Sequence, residues 1–135
     1  MCGIVAYKGH KKCFPILLGG LKKLEYRGYD SAGVACFYNN KINVTRRAGK
    51  VKELEEAINN KKSSKDCEGL GIAHTRWATH GEPNQKNAHP HLDQSNKIAI
   101  VHNGIIENHE PIKKFLKSKK IKFKSDTDTE VLVQL

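Results

Sequence analysis

Cysteine stands at position 2 of the chain, directly behind Met1 and ahead of Gly3 and a short apolar run. Removal of Met1, which proceeds readily when so small a residue follows, would leave a thiol and a free α-amine on Cys2. Such a residue carries its own base, because an α-amine titrates at roughly 7.7–8.0 and a free thiol near 8.5. The competing description of Cys2 is a small buried hydrophobe. A second concentration of chemistry is TRWATHGEPNQKNAHPHLDQSN, residues 75–96. It has neither a helical nor a strand period, and unstructured stretches longer than about 12–15 residues in compact domains are usually functional lids or disordered links. Arg76, Trp77, Thr79, His80, His89 and His91 give it the composition of a recognition surface rather than of a linker.

The elements that must position these residues are legible from periodicity. Residues 3–7 read as a strand, and Pro15 opens a helix whose Leu17, Leu21 and Leu24 share one face and which Gly28 ends. Strands over 35–38 and 42–45 flank Asn39-Asn40, a pair that tolerates the positive φ angles of a tight hairpin. Val51, Leu54 and Ile58 mark a second helix, followed by a polar connection over 61–68. Short apolar runs at 70–73 and 98–101 predict two central buried strands, the second followed by an Asn103-Gly104 turn. A third helix starts near Pro111 with Ile112, Phe115 and Leu116 inward. Thr127 and Glu130 fit an S/T-x-x-E helix start with Asp128 in its first turn, and Val131, Leu132 and Leu135 begin an apolar face. The order predicts an α+β fold layered around a mostly antiparallel sheet.

Composition sets the outer limits. With 135 residues, 38% hydrophobic and 28% charged, the chain suits one globular core. No apolar run approaches the roughly 20 residues of a membrane helix, so no membrane association and a cytoplasmic location are expected. A net charge of +10 raises nucleic-acid binding as a rival function. The lysines, however, fall in short groups without interleaved stacking aromatics, the pattern of a solvated surface, and no nucleic-acid partner is expected. Cys2, Cys13, Cys36 and Cys67 are widely spaced without a C-x-x-C pair, which predicts plain thiols rather than a disulfide framework or thiolate zinc site.

Five segments, MCGIVAY, LEYRGYDSAGVA, GIAHTRWATHGEPNQKNAHPH, VHNGIIENHEPI and SDTDTE, resemble in order and spacing the glutaminase domain of the glutamine–fructose-6-phosphate aminotransferases. Other class II glutamine amidotransferases, such as amidophosphoribosyltransferases and asparagine synthetases, share the terminal cysteine and the N-G pair. The resemblance implies an N-terminal-nucleophile hydrolase fold, an αββα sandwich. It also implies L-glutamine as substrate, a γ-glutamyl thioester on Cys2, and an oxyanion site built from the Asn103 side-chain amide and the Gly104 N–H. By the same resemblance Arg76 and Asp128 anchor the substrate's α-carboxylate and α-ammonium, with Trp77, Thr79 and His80 in a closing loop. For Trp77 a plug on the core is the alternative. Arg27, Tyr29 and Asp30 belong to a further motif whose chemistry is not readable, with support of the N-terminus as its expected role.

The resemblance further implies a C-terminally truncated domain at 1–135. Fructose 6-phosphate would be bound by isomerase domains absent from this chain, and the full-length protein would be a homodimer. No cofactor and no metal are expected, since His80, His89 and His91 lack a standard zinc spacing. Activation of Cys2 by His80 or His102 is the alternative to its own α-amine.

Overall fold

The structure, a computed structural model, describes residues 2–27, 30–61, 67–78 and 81–135. The polar connection expected around residue 64 and the helix stop expected at Gly28 lie outside them.

A ten-residue strand β1 (Gly3–Lys12) leads without a loop into helix α1 (Cys13–Leu24). α1 buries Cys13, Phe14, Leu17, Leu18 and Leu21, and Pro15 lies in its first turn, where a missing N–H costs nothing. After a 3₁₀ turn (Glu25–Arg27), β2 (Ser31–Tyr38) and β3 (Lys41–Ala48) form the expected hairpin, with Asn39 at φ 53° and Asn40 at φ 59°. Helix α2 (Val51–Asn59) buries Val51, Leu54, Ala57 and Ile58, and the Glu25 carboxylate receives its first N–H at 2.9 Å. β4 (Glu68–Arg76) then inserts between β1 and β2, giving an antiparallel sheet ordered β1-β4-β2-β3.

Period-two alternation divides that sheet into two faces. Val5, Tyr7, Ala32, Val34, Cys36 and Ala73 meet α1 and α2 in the main core. Full burial of Leu17, Leu21 and Leu54 supplies about 1.5–3 kcal/mol each. The opposite face carries Ile4, Leu70, Ile72, His74, Arg76, Ala35 and Phe37, as the register shows. Over part of it lies a second sheet of β5 (His91–Leu92) and β6 (Ala99–Ile100). Helix α4 (Asp128–Gln134) packs on that ribbon, and α3 (His109–Ser118) packs on α4. The layers therefore run helix, sheet, sheet, helix.

Several expectations are corrected. The strand read at 98–101 is the two-residue β6, bonded to β5 alone among the described residues, with Ile98 55% exposed. Its β-branched composition suits a central strand, but composition does not supply the neighbouring strands. In α3 Leu116 is buried, whereas Phe115 points outward. In α4 the inward residues are Val131 and Val133, and Leu132 and Leu135 are exposed. Cys36 and Cys67 are joined as a disulfide rather than remaining thiols, with Cα atoms 6.0 Å apart. Their 31-residue separation hides a contact made in three dimensions: β4 lies beside β2, and Gly69 (φ 84°) breaks the extension that follows Cys67, which sits in the core.

Candidate active site

The ends of β1 and β4, the turn after β6 and the start of α4 converge on a cleft of about 380 Å³, within the roughly 300–1,000 Å³ typical of small-molecule sites. Cys2, Arg76, Trp77, Asn103, Gly104 and Asp128, dispersed across the sequence, all line it. Thr79 and His80 lie outside the described residues.

Cys2 is half-buried and is held by the main chain of Trp77: the Trp77 N–H donates to Sγ at 3.1 Å, and Sγ lies 3.6 Å from the Trp77 carbonyl. No imidazole is hydrogen-bonded to Sγ among the described residues. Its neighbour Gly3 donates its N–H to Thr75 Oγ1 at 3.1 Å, fixing the start of β1 against the end of β4. The indole of Trp77 is 57% exposed, so it is not a plug on the core.

Asn103 spans from Cys2 to the buried side of the cleft. Its Nδ2 donates to the Cys2 carbonyl at 3.1 Å, and its Oδ1 lies 2.8 Å from His74 Nε2. Gly104 follows at φ 142°, a conformation L side chains rarely adopt, and a Cβ there would stand 3.1 Å from His102 Nε2. The Asn103-Gly104 turn thus sets the Asn103 amide against the Cys2 carbonyl and leaves Gly104 lining the same cleft.

Arg76 is 3% exposed at the last position of β4, and its guanidinium donates to the carbonyls of Gly81 and Glu82 at 3.3 and 3.2 Å. Burial lowers its pKa, opposed by the carboxylates of Asp30 and Asp128. Asp128, 4% exposed, accepts the Ile106 N–H at 2.8 Å from the turn that follows Gly104. Cation and carboxylate thus face a common space. The start of α4 is capped as expected on one side, Thr127 Oγ1 accepting the Glu130 N–H at 3.3 Å. The return half of the capping box is replaced: Glu130 is buried and accepts from the N–H groups of Lys124 and Ser125 at 2.7 and 2.6 Å and from the Ser125 hydroxyl.

Residues 81–96 are a built wall, not a linker. Fully buried Asn87 donates to the Glu82 carbonyl at 3.0 Å and accepts the Asp126 N–H at 2.9 Å. At the wall of the cleft, which His89 lines, the His89 ring stacks on His74 with centroids 4.2 Å apart, and His91 meets His89 edge-on at 4.7 Å. His91 Nε2 lies 3.0 Å from Thr127 Oγ1. Burial drives all three pKa values down, His74 to about 4 and His91 to about 3. These rings are neutral packing elements, and no group of three or more metal-binding side chains occurs among the described residues.

One supporting residue, His74, escaped the sequence reading, and a second, Asp30, was named there only within a motif of unread chemistry. His74 is spaced two positions from Arg76 on one strand, so sharing a face with it was the available signal. Asp30 accepts the Ala78 N–H and the Ser31 hydroxyl, while its own N–H donates to the Arg76 carbonyl at 3.1 Å. It therefore fastens the strand end on both sides of Trp77, and the motif containing Arg27 and Tyr29 has an ordered role for Asp30 at least.

Over its full length the chain is 59% identical to the glutamine–fructose-6-phosphate aminotransferase (isomerizing) of Bacteroides thetaiotaomicron. It is 56% identical to that of Caldanaerobacter subterraneus and 52% identical to that of Aquifex aeolicus. It spans 22% of the length of each. Among solved structures, glutamine phosphoribosylpyrophosphate amidotransferase from B. subtilis, complexed with ADP and GMP, matches all of this chain and 29% of its own at 28% identity and TM-score 0.80. A second, the allosteric regulatory enzyme of purine biosynthesis, matches all of this chain and 29% of its own at 29% identity and TM-score 0.82. The α+β arrangement is the N-terminal-nucleophile fold of such amidotransferases. The profile of the glutamine amidotransferase domain covers residues 60–135, more than half the chain and the part that carries Arg76, Asn103, Gly104 and Asp128, and the chain belongs to that family.

Proposed function

We propose that this chain is the N-terminal part of a glutaminase domain that hydrolyses the side-chain amide of L-glutamine and supplies ammonia for making glucosamine 6-phosphate from fructose 6-phosphate. The observation that carries the reading is Cys2 with the Asn103 amide on its carbonyl, in one cleft with Gly104, a buried cation and a buried carboxylate. After loss of Met1 the α-amine of Cys2 takes the thiol proton, and Sγ attacks the amide carbon. Negative charge on the carbonyl oxygen is received by Asn103 Nδ2 and the Gly104 N–H, donors worth most where charge develops. Collapse to the γ-glutamyl thioester releases ammonia, the amine returning its proton to the leaving nitrogen. Water then frees glutamate.

Arg76 suits the substrate's α-carboxylate, since a guanidinium offers paired donors in one plane, and Asp128 suits its α-ammonium. The exposed indole of Trp77, with Thr79 and His80, would close over bound glutamine and retain ammonia. Fructose 6-phosphate would bind domains that this chain does not contain, in a cytoplasmic homodimer. Ile4, Leu70 and Phe37 lie on the partly uncovered sheet face, each more than 40% exposed, which supports further chain of the same domain packing there.

The test is the N-terminus. In the full-length protein, one residue added before the processed Cys2 should abolish ammonia release while glutamine still binds. Normal turnover with Cys2 acetylated or Met1 retained would refute the α-amine mechanism.

A further inference from the structure

We propose that His74 is a positioning residue: its Nε2–H, donated to Asn103 Oδ1, holds the Asn103 amide with Nδ2 turned toward Cys2. The inference rests on the reading of Asn103 as an oxyanion donor and adds the group that makes it one.

The Cys2 carbonyl can only accept a hydrogen bond. The Asn103 atom 3.1 Å from it must be the NH₂ group, so the atom facing His74 at 2.8 Å is the carbonyl oxygen, also an acceptor. His74 Nε2 must therefore carry a proton. Burial leaves the ring neutral at neutral pH, with its pKa near 4 despite the opposing pull of Asn103 and of the His102 backbone. The single proton then belongs to Nε2 and leaves Nδ1 bare. Nδ1 is buried and has no hydrogen-bond partner among the described residues, and a bare nitrogen is tolerated there more easily than an orphaned N–H. With the proton on Nδ1 instead, Nε2 would become an acceptor. The amide would then turn its NH₂ to His74 and present oxygen to the oxyanion.

The ring is fully buried and cannot swing away. Its face lies against His89 at an interplanar angle of 13°. His89 also accepts the His102 N–H on Nδ1 at 3.4 Å, holding the residue immediately before Asn103. Gly33 permits this platform, because a Cβ there would stand 1.9 Å from the His89 carbonyl oxygen.

Two measurements on the full-length protein test the inference. ¹⁵N-histidine NMR at neutral pH should show His74 neutral, with Nε2 protonated and Nδ1 bare. The opposite tautomer, or an imidazolium, would overturn it. Glutamine hydrolysis by His74→Phe should lose kcat on the order of 10–100-fold with KM for glutamine and iodoacetamide alkylation of Cys2 unchanged, somewhat less than removal of the donor itself. His74→Gln, whose amide N–H can replace Nε2–H, should recover most of that loss. Asn103→Ala serves as the reference. If it loses turnover while His74→Phe does not, the His74 inference alone fails. If Asn103→Ala turns over normally, the oxyanion reading beneath it fails.

Discussion

Acidification should unfold this chain through its buried histidines well before its carboxylates protonate. His74, His89 and His91 are at most 5% exposed, and burial lowers the pKa of each, with neighbouring positive charge adding to the effect. In the unfolded chain each titrates near 6.5. Above about pH 7.5 all three are neutral in both states and contribute no pH dependence. Between about 6.5 and 4 the unfolded chain takes up protons that the native rings refuse, so native stability falls as pH falls. Each contributes about 1.4 kcal/mol per pH unit in the steep part of that window. From pH 7.5 to 5.5 the three together remove ~4 kcal/mol, a large share of a typical 5–15 kcal/mol stability. Asp93 acts in a lower window. Burial opposes its ionisation, but the Ser95 hydroxyl and the N–H groups of Ile98, Ser95 and Lys97 hold its pKa near 2, so its contribution disappears only as pH falls from about 4 toward 2. Urea unfolding from pH 7.5 to 5 should show the loss. Calorimetry at pH 5.5 in buffers of different ionisation enthalpy should register uptake of about three protons on unfolding. An uptake below one proton, or a urea midpoint constant down to pH 5.5, would refute the account of neutral buried rings.

Gly33→Ala should destabilise the fold on the order of 3 kcal/mol or more, because its Cβ would meet His89 backbone rather than a movable side chain. Gly19→Ala, with open space around the added methyl on α1, should instead gain about 0.5–1 kcal/mol in the same urea assay. Thr127→Ala should cost about 1 kcal/mol from the lost cap of α4, and somewhat more because His91 Nε2 loses its hydroxyl partner. On the proposed reading, Arg76→Lys should raise KM for glutamine by roughly 10–100-fold, since one ammonium cannot hold the Gly81 and Glu82 carbonyls and pair with a carboxylate as a planar fork does. Steady-state ammonia release decides that case, and an unchanged KM would remove Arg76 from substrate binding.

What the sequence disclosed depended on the range over which each signal acts. The Asn39-Asn40 hairpin and α2 were legible because turn chemistry and apolar spacing are local, and the structure places both within a few residues of their expected limits. The capping hydroxyl of Thr127 was local too. The destination of Glu130 was not, because the Lys124–Ser125 bend competes for its oxygens and captures them. The Cys36–Cys67 contact depends on β4 inserting between β1 and β2, a topological event with no trace in cysteine spacing. For the same reason residues 81–92 had no readable period: their order comes from side chains such as Asn87 bonding to distant backbone.

The end of β4 shows how a plain strand rule could have carried the site further. His74, Thr75 and Arg76 alternate across the sheet, and each direction has a separate consequence. Thr75 points to the α1 side and holds Gly3, the residue behind Cys2. His74 and Arg76 point to the other side, one reaching Asn103 and the other lining the cleft with Asp128. Trp77, where the strand has ended, places its main-chain N–H on the sulfur. Four consecutive residues thus set Cys2, the amide beside it and the buried cation relative to one another. Because the sheet fixes their spacing, a one-residue slip of β4 against β1 would exchange the two faces and disconnect all three. The β1–β4 pairing is regular from Gly3↔Thr75 to Lys8↔Leu70, and its register shift lies between Lys8 and Lys12, at the end remote from Cys2. The irregularity the sheet tolerates is kept away from the residues whose alignment the proposed chemistry needs.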